Sequence, residues 1–126
     1  MLDGKQRKTA LLGKSRGEKG NKTVQLTGKK VGLDGIRVGD MSGDQKDHVR
    51  KVLADLMAPY REKDAREAMK LVEAAGMDHL HMAFYKDENI GNDEVWDVWQ
   101  IEGPNMICYF RGKPHVHAWM HIRKPV

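Results

Sequence analysis

The sequence predicts an α+β protein in which two helices are followed by a four-stranded antiparallel sheet. Between residues 42 and 76, apolar residues recur every three or four positions, the period of an amphipathic helix. Beyond Gly76 the period changes to two, and polar turns separate four short segments. Residues 1–40 are rich in Gly and Lys and predict a basic, loop-rich N-terminal arm in front of this body.

The helical region contains recognisable start and stop signals. Ser42 and Gln45 have the spacing of a capping box, and Pro59 ends or kinks the first helix. We expect Asp64 to be the N-cap of the second helix and Gly76 to end it. The apolar stripes of the two helices are Val49, Val52, Leu53, Leu56 and Met57, then Ala65, Ala68, Met69, Val72 and Ala75.

Four segments alternate as strands do, at residues 79–85, 95–102, 106–111 and 115–123. A polar turn over residues 86–93 and two Pro-containing turns connect them, which predicts an antiparallel meander. In the arm, residues 6–12 have a short helical pattern with no evident cap, as expected for the tail of a helix that begins upstream. Residues 23–26 and 31–33 are weaker strand candidates.

Composition excludes several classes of protein. The chain has 126 residues, about one domain, with a net charge of +4 and a single cysteine, Cys108. An intrachain disulfide and a cysteine-based zinc site are therefore excluded. No apolar run is long enough to cross a bilayer, and the basic start lacks the apolar core of a signal peptide. We therefore expect no membrane partner, and the location in the cell is left open.

The charge divides the chain into an arm at residues 1–40 and an α+β body at residues 41–126. The arm has 10 basic and 4 acidic residues, whereas the body has 12 and 14. Such an arm could bind the phosphates of a nucleic acid. No aromatic residue is interleaved among its cations, which favours a solvated, flexible segment that is extended or draped over the body.

The histidines are the side chains best suited to chemistry. His115 and His117 are two residues apart, so on a strand they share a face and lie about 6–7 Å apart. This spacing suits two ligands of one metal ion, and imidazole binds Zn, Cu and Fe. His79 and His81 repeat the pattern on the first strand, so four imidazoles would meet if the strands are neighbours. The alternative is a polar face turned to water.

A carboxylate and a thiol complete the candidates. Glu102 ends the second strand, where it could be a further metal ligand or a general base, or could simply be solvated at the turn. Cys108 alternates with apolar neighbours as a core residue does. A bound metal would activate water or dioxygen, and the residues do not choose between these reactions. Whether the chain is an enzyme is therefore left open.

Three stretches resemble one family, the domain of unknown function family 3500, and specifically its C-terminal part. They are residues 2–10 (LDGKQRKTA), Gly35-Ile36 followed by residues 41–45 (MSGDQ), and Ile101-Glu102-Gly103-Pro104 with the later His115-Val116-His117. The resemblance implies a bacterial protein that is longer than this chain, with a periplasmic or secreted parent. It supplies no activity. The family's tail after the His-x-His differs here, which puts any site built from that tail in doubt.

Two functions fit these observations. The first is a metal-binding module whose ligands are His115 and His117, helped by His79, His81 or Glu102, with Zn, Cu or Fe as the metal. The second is a non-catalytic structural or interaction fragment of a larger domain, with a polar histidine face. A surface exposed by truncation would allow self-association in either case.

Overall fold

A computed structural model describes residues 2–87 and 96–125. Within these residues the fold is α+β, with three helices and a mixed sheet of six strands. The helices are α1 (Gly4–Ala10), α2 (Gly43–Met57) and α3 (Glu62–Ala75). The strands are β1 (Leu11–Leu12), β2 (Ile36–Arg37), β3 (His81–Tyr85), β4 (Val98–Glu102), β5 (Met106–Arg111) and β6 (His117–Ile122).

The predicted meander forms the main part of the sheet. Strands β3, β4, β5 and β6 are neighbours in that order and pair antiparallel. The prediction of a purely antiparallel sheet is wrong, because β1 pairs parallel with β3. The short strand β2 also pairs with β3, in antiparallel orientation. Both additional strands come from the arm and are two residues long, too short for a period of two to be visible in the sequence.

The boundaries of the predicted strands are corrected in several places. Strand β5 has the predicted bounds. Strand β3 begins two residues later than expected, because Met77–His79 form a 3-10 helix that turns the chain out of α3. Lys22–Val24 also form a 3-10 helix, where a strand was expected. The turn expected over residues 86–93 and the predicted start of β4 lie partly outside the described residues.

The predicted start of α2 is confirmed, whereas those of the other two helices are wrong. Ser42 accepts from the backbone N–H of Gln45 in a complete capping box. Helix α1 is not an uncapped tail, since Asp3 caps it in the same way. Helix α3 begins at Glu62, and Asp64 is an early helical residue whose Oδ2 accepts from the Nε of Arg61 at 2.8 Å.

The capping boxes of α1 and α2 are joined to each other. Their third residues are Gln6 and Gln45, whose side-chain amides exchange two hydrogen bonds of 3.0 and 2.8 Å. Each amide oxygen also accepts from the backbone of its own N-cap residue. A single amide pair therefore fixes the two helix starts side by side.

Each face of the sheet carries a cluster of buried apolar side chains, and the larger cluster faces the helices. The face that we call the helix face carries Met82, Phe84, Trp99, Ile101 and Cys108 and packs against α2 and α3. Asn105 joins α3 to the sheet, because its Nδ2 donates to Leu71 O at 2.7 Å and to Arg123 O at 2.9 Å. The hydrophobic core therefore lies between this face and the helices, as the apolar stripes predict.

Residues 13–34 of the arm, which we call the strap, cover the opposite face of the sheet, the strap face. Ser15 and Thr23 of the strap are buried, at 8% and 0% exposure. The strap therefore lies over the body, as expected, and Ser15 and Thr23 are not solvated. Polar side chains of β3, β4 and β5 hold the strap, a role that composition alone does not reveal.

Candidate functional site

The His-x-His pair lies where β6 begins: His117 is the first residue of the strand, and His115 lies two residues before it, although it was predicted to lie on the strand. The Nε2 atoms of His115 and His117 are 2.9 Å apart, and the ring centres are 4.6 Å apart. His115 is exposed, and His117 is half-buried on the strap face. The two imidazoles that the spacing predicts together therefore do lie together, with their Nε2 atoms adjacent.

A carboxylate from the strap contacts the other side of His117. The two carboxylate oxygens of Glu18 are 3.2 and 3.1 Å from His117 Nδ1. The side chain of Arg111 contacts both residues: its Nε is 3.2 Å from Glu18 Oε1, and an Nη is 2.7 Å from His117 Nδ1. Glu18 and Arg111 are only 26% and 18% exposed, so the pair is partly shielded from water.

These contacts make opposite demands on the ring of His117. A carboxylate only accepts hydrogen bonds, so its contact requires a proton on Nδ1. A guanidinium only donates hydrogen bonds, so its contact requires Nδ1 to be unprotonated. With the proton on Nδ1, the Nε2 atom has a free lone pair facing His115. The carboxylate therefore favours the tautomer in which Nε2 can bind a metal ion or accept a proton.

The other predicted ligands lie elsewhere. His79 is in the 3-10 helix and not on a strand, and the Nδ1 of buried His81 is 3.0 Å from the carbonyl oxygen of His79. In the sheet, His81 is level with His121 at the far end of β6, three strands away. Strand spacings put it about 19 Å from His117. The expectation that four imidazoles meet is therefore wrong.

Glu102 belongs to a separate buried cluster beneath the strap. Its Oε1 accepts from an Nη of Arg16 at 2.9 Å, and its Oε2 accepts from Thr27 Oγ1 at 3.3 Å. Arg16 also donates to Gln100 Oε1 and to the carbonyl oxygen of Thr23, both at 3.1 Å. The carboxylate is thus occupied by the strap and lies about 16 Å from His117 by sheet geometry.

Burial controls the protonation of this cluster. Desolvation raises the pKa of Glu102 above its ordinary value, while the Arg16 charge and Thr27 oppose the shift. Burial, together with the carboxylate of Asp34, also raises the pKa of Tyr85, whose hydroxyl donates to Asp34 at 2.9 Å. These groups form hydrogen-bonded anchors for the strap.

Two absences can be stated for residues 2–87 and 96–125. No group of three or more His, Cys, Asp or Glu side chains there has an arrangement that could hold a metal ion. None of their helices is long and apolar enough to cross a bilayer.

Sequence reasoning missed Glu18 and Arg16. Both come from the strap and reach partners more than 80 positions away in the chain. Their local sequence, Arg16-Gly17-Glu18, has no motif that predicts these partners. The strap's approach to the sheet was expected, but its register on the sheet was not.

Comparison with known proteins identifies one family. The sequence matches the family described as "Protein of unknown function (DUF3500)" over residues 1–125, essentially the whole chain. The chain therefore belongs to this family. No curated protein and no solved structure matches it. The further expectations of a bacterial source and of correspondence to the family's C-terminal part stay predictions.

Proposed function

As a member of a family without an assigned activity, the chain must be interpreted from its own residues, and we propose that it is a metal-binding module. The ligands are the Nε2 atoms of His115 and His117, with open positions left for water or a small donor. The observation that carries the proposal is the 2.9 Å separation of these two atoms, together with the carboxylate on the far nitrogen of His117.

The ring geometry supports convergence on a common point. A straight N–H···N hydrogen bond of this length would place the ring centres about 5.2 Å apart. They are 4.6 Å apart, so the rings meet at an angle. Two imidazoles bound at 90° to one metal, with metal–nitrogen distances near 2.0 Å, have ring centres about 4.5 Å apart. The pair therefore requires little movement to accept an ion.

The surroundings of His117 match those of a metal ligand. Ligating histidines almost always donate their second N–H to a carboxylate, a carbonyl or water, which fixes the tautomer and orients the ring. Glu18 supplies this carboxylate, and Arg111 holds it in place. When a metal binds Nε2, the Nδ1 proton faces Glu18 and the Arg111 Nη contact must relax.

The ligand type favours one kind of metal. Copper(II) binds nitrogen ligands more tightly than the other divalent first-row ions do. We therefore expect Cu²⁺ to bind more tightly than Zn²⁺, and Mg²⁺ not to bind.

The test is a calorimetric titration of the untagged protein with Cu²⁺, Zn²⁺ and Mg²⁺. We expect one Cu²⁺ per chain, abolished by His115→Ala and by His117→Ala. His121→Ala is the matched control, because His121 is an exposed histidine of the same strand whose Nδ1 is 3.2 Å from a backbone oxygen. Glu18→Gln should weaken binding about tenfold or more, since it removes the orienting carboxylate. Circular dichroism establishes that each variant is folded.

The alternative is that Glu18, Arg111 and His117 have only a structural role. Glu18 joins the strap to Arg111 and His117, so the histidines would then serve only to hold the strap. In that case His117→Ala lowers the melting temperature and metal uptake is weak and equal in all variants. Equal uptake by the His121 control and the His117 variant would overturn the metal proposal.

A further inference from the structure

A cavity of about 520 Å³ lies on the opposite side of the sheet from the histidine pair. Its floor is the helix face, with Met82, Phe84 and Trp99, and its walls are α1, β1 and α2. The volume lies in the range of small-molecule sites, which are mostly apolar with a few placed polar groups. The cavity is separate from both polar clusters of the strap face.

The lining of the cavity has a distinct polar end. Of the thirteen described residues that line the cavity, ten are apolar and the other three are Arg7, Gln45 and His48. Arg7 adjoins the amide pair of Gln6 and Gln45 that joins the helix starts, and His48 lies one turn beyond Gln45. The three polar residues are therefore at the same end. Arg7 and His48 are exposed, which places this end at the mouth.

The one formal charge among the described residues that line the cavity is that of Arg7. No Asp or Glu of residues 2–87 or 96–125 lines it. The Nε of Arg7 donates to Leu2 O at 3.1 Å, and among the described residues no carboxylate forms an ion pair with its guanidinium. A guanidinium beside an apolar chamber is complementary to a molecule with one carboxylate and an apolar body.

We infer that the cavity binds a small amphipathic carboxylate. Its carboxylate is held by Arg7, with His48 as a further donor. Its apolar body lies among Met82, Phe84 and Trp99, where aromatic and thioether surfaces exclude water. The alternative occupants are a second copy of this chain and a neutral apolar molecule.

The test uses decanoate and decanol as matched probes in calorimetric titrations of the full chain. We expect decanoate to bind one per chain and decanol to bind at least about tenfold more weakly. Arg7→Gln should weaken decanoate binding about tenfold and leave decanol binding unchanged, because it removes only the charge at the mouth. No heat with decanoate up to its solubility limit, or equal affinity for decanol, would overturn the inference.

A second pair of variants tests the position of the apolar body. Val52 of α2 lines the cavity, whereas Lys51 is exposed on the same helix and does not. Val52→Phe should abolish decanoate binding by filling the chamber, and Lys51→Phe should leave it unchanged. Both variants are checked for folding by circular dichroism. Sedimentation velocity identifies the remaining case, a dimer that Val52→Phe disrupts while decanoate does not bind, and this result would assign the cavity to a second copy.

Discussion

Replacing Arg16 by methionine should expose the energetic role of the buried cluster beneath the strap. Arg16 forms the only ion pair of Glu102 seen among the described residues, and the Glu102 side chain is 3% exposed. Removing one partner of a buried pair costs about 3–5 kcal/mol, because the remaining charge is left uncompensated. Arg16 itself is 25% exposed and Thr27 still donates to the carboxylate, so we expect a loss of about 2–4 kcal/mol at pH 7.

The matched control is an ion pair of similar length on the surface. Arg66 and Glu62 are 2.8 Å apart in α3, with side chains 65% and 84% exposed. Exposed helical pairs contribute about 0.3–0.5 kcal/mol, so Arg66→Met should change the free energy of unfolding by no more than that. Urea unfolding followed by circular dichroism measures both variants. A loss in Arg16→Met as small as in the control would refute the reasoning.

The stability of the Arg16→Met variant should depend on pH, because the charge of Glu102 does. Burial raises the folded-state pKa of Glu102 above the ordinary 4.5, so the folded protein binds the proton more tightly than the unfolded chain. Its contribution is therefore most favourable below pH 4.5 and is lost as the pH rises through the folded pKa. Without Arg16 the pKa rises further, so the deficit of Arg16→Met should shrink substantially between pH 7 and pH 4.5.

A second substitution distinguishes the cost of the unpaired Glu102 charge from the cost of the packing that Arg16 loses. Glu102→Gln keeps the shape of the side chain and removes its charge. The double variant with Arg16→Met should then be more stable than Arg16→Met alone at pH 7, by about 1–2 kcal/mol. An identical deficit at pH 4.5 and pH 7, with no rescue by glutamine, would show that Arg16 acts only through its neutral contacts with the strap.

Two further predictions concern the core. Gly35 has φ of +97°, and a Cβ there would overlap the backbone of β3, so Gly35→Ala should cost about 3 kcal/mol in thermal unfolding. Gly32→Ala has a similar φ of +73° but open space, and should cost only about 1–2 kcal/mol; equal losses would contradict the close approach. Burial raises the pKa of Cys108 from 9.0 to about 12, which lowers its thiolate fraction about 1000-fold. Cys108 should therefore react with a disulfide reagent at pH 8 only after unfolding, and rapid labelling of the folded protein would contradict its burial.

The parts of the fold that were predicted correctly are those with long local patterns. Helix α2 and strand β5 each contain enough periodic residues to identify the element, and in α2 also its buried side. Strands β1 and β2 do not, because each consists of two residues whose backbone pairs with the edge of β3 opposite to β4. Such strands depend on a partner that is distant in the chain, so no local period encodes them.

One missed feature did have a sequence signal. Asp3 and Gln6 have the same spacing as Ser42 and Gln45, and both pairs form complete capping boxes. The interpretation of residues 6–12 as the uncapped tail of an upstream helix overlooked this spacing. By contrast, the pairing of the two glutamines across the helix starts is tertiary and has no local signature.

Only the part of the candidate site formed by residues close together in the sequence could be predicted. The structure brings the two imidazoles of the His-x-His together, although the predicted reason holds only in part, because His115 lies two residues before β6 and not on the strand. The proposed help from His79 and His81 required the order and register of four strands. That register places His81 level with His121, so the two pairs are at opposite ends of the sheet.

The register of the strap on the sheet follows from alternating charge. Arg16 lies against the buried Glu102 of β4, and Glu18, two residues later, lies against Arg111 of β5. A shift of the strap by two residues would place like charges together at partly buried positions, which costs far more than at the surface. The register that pairs Arg16 with Glu102 therefore also places the Glu18 carboxylate against His117. The anchoring of the strap and the orientation of the proposed metal ligand are consequences of one arrangement of charges.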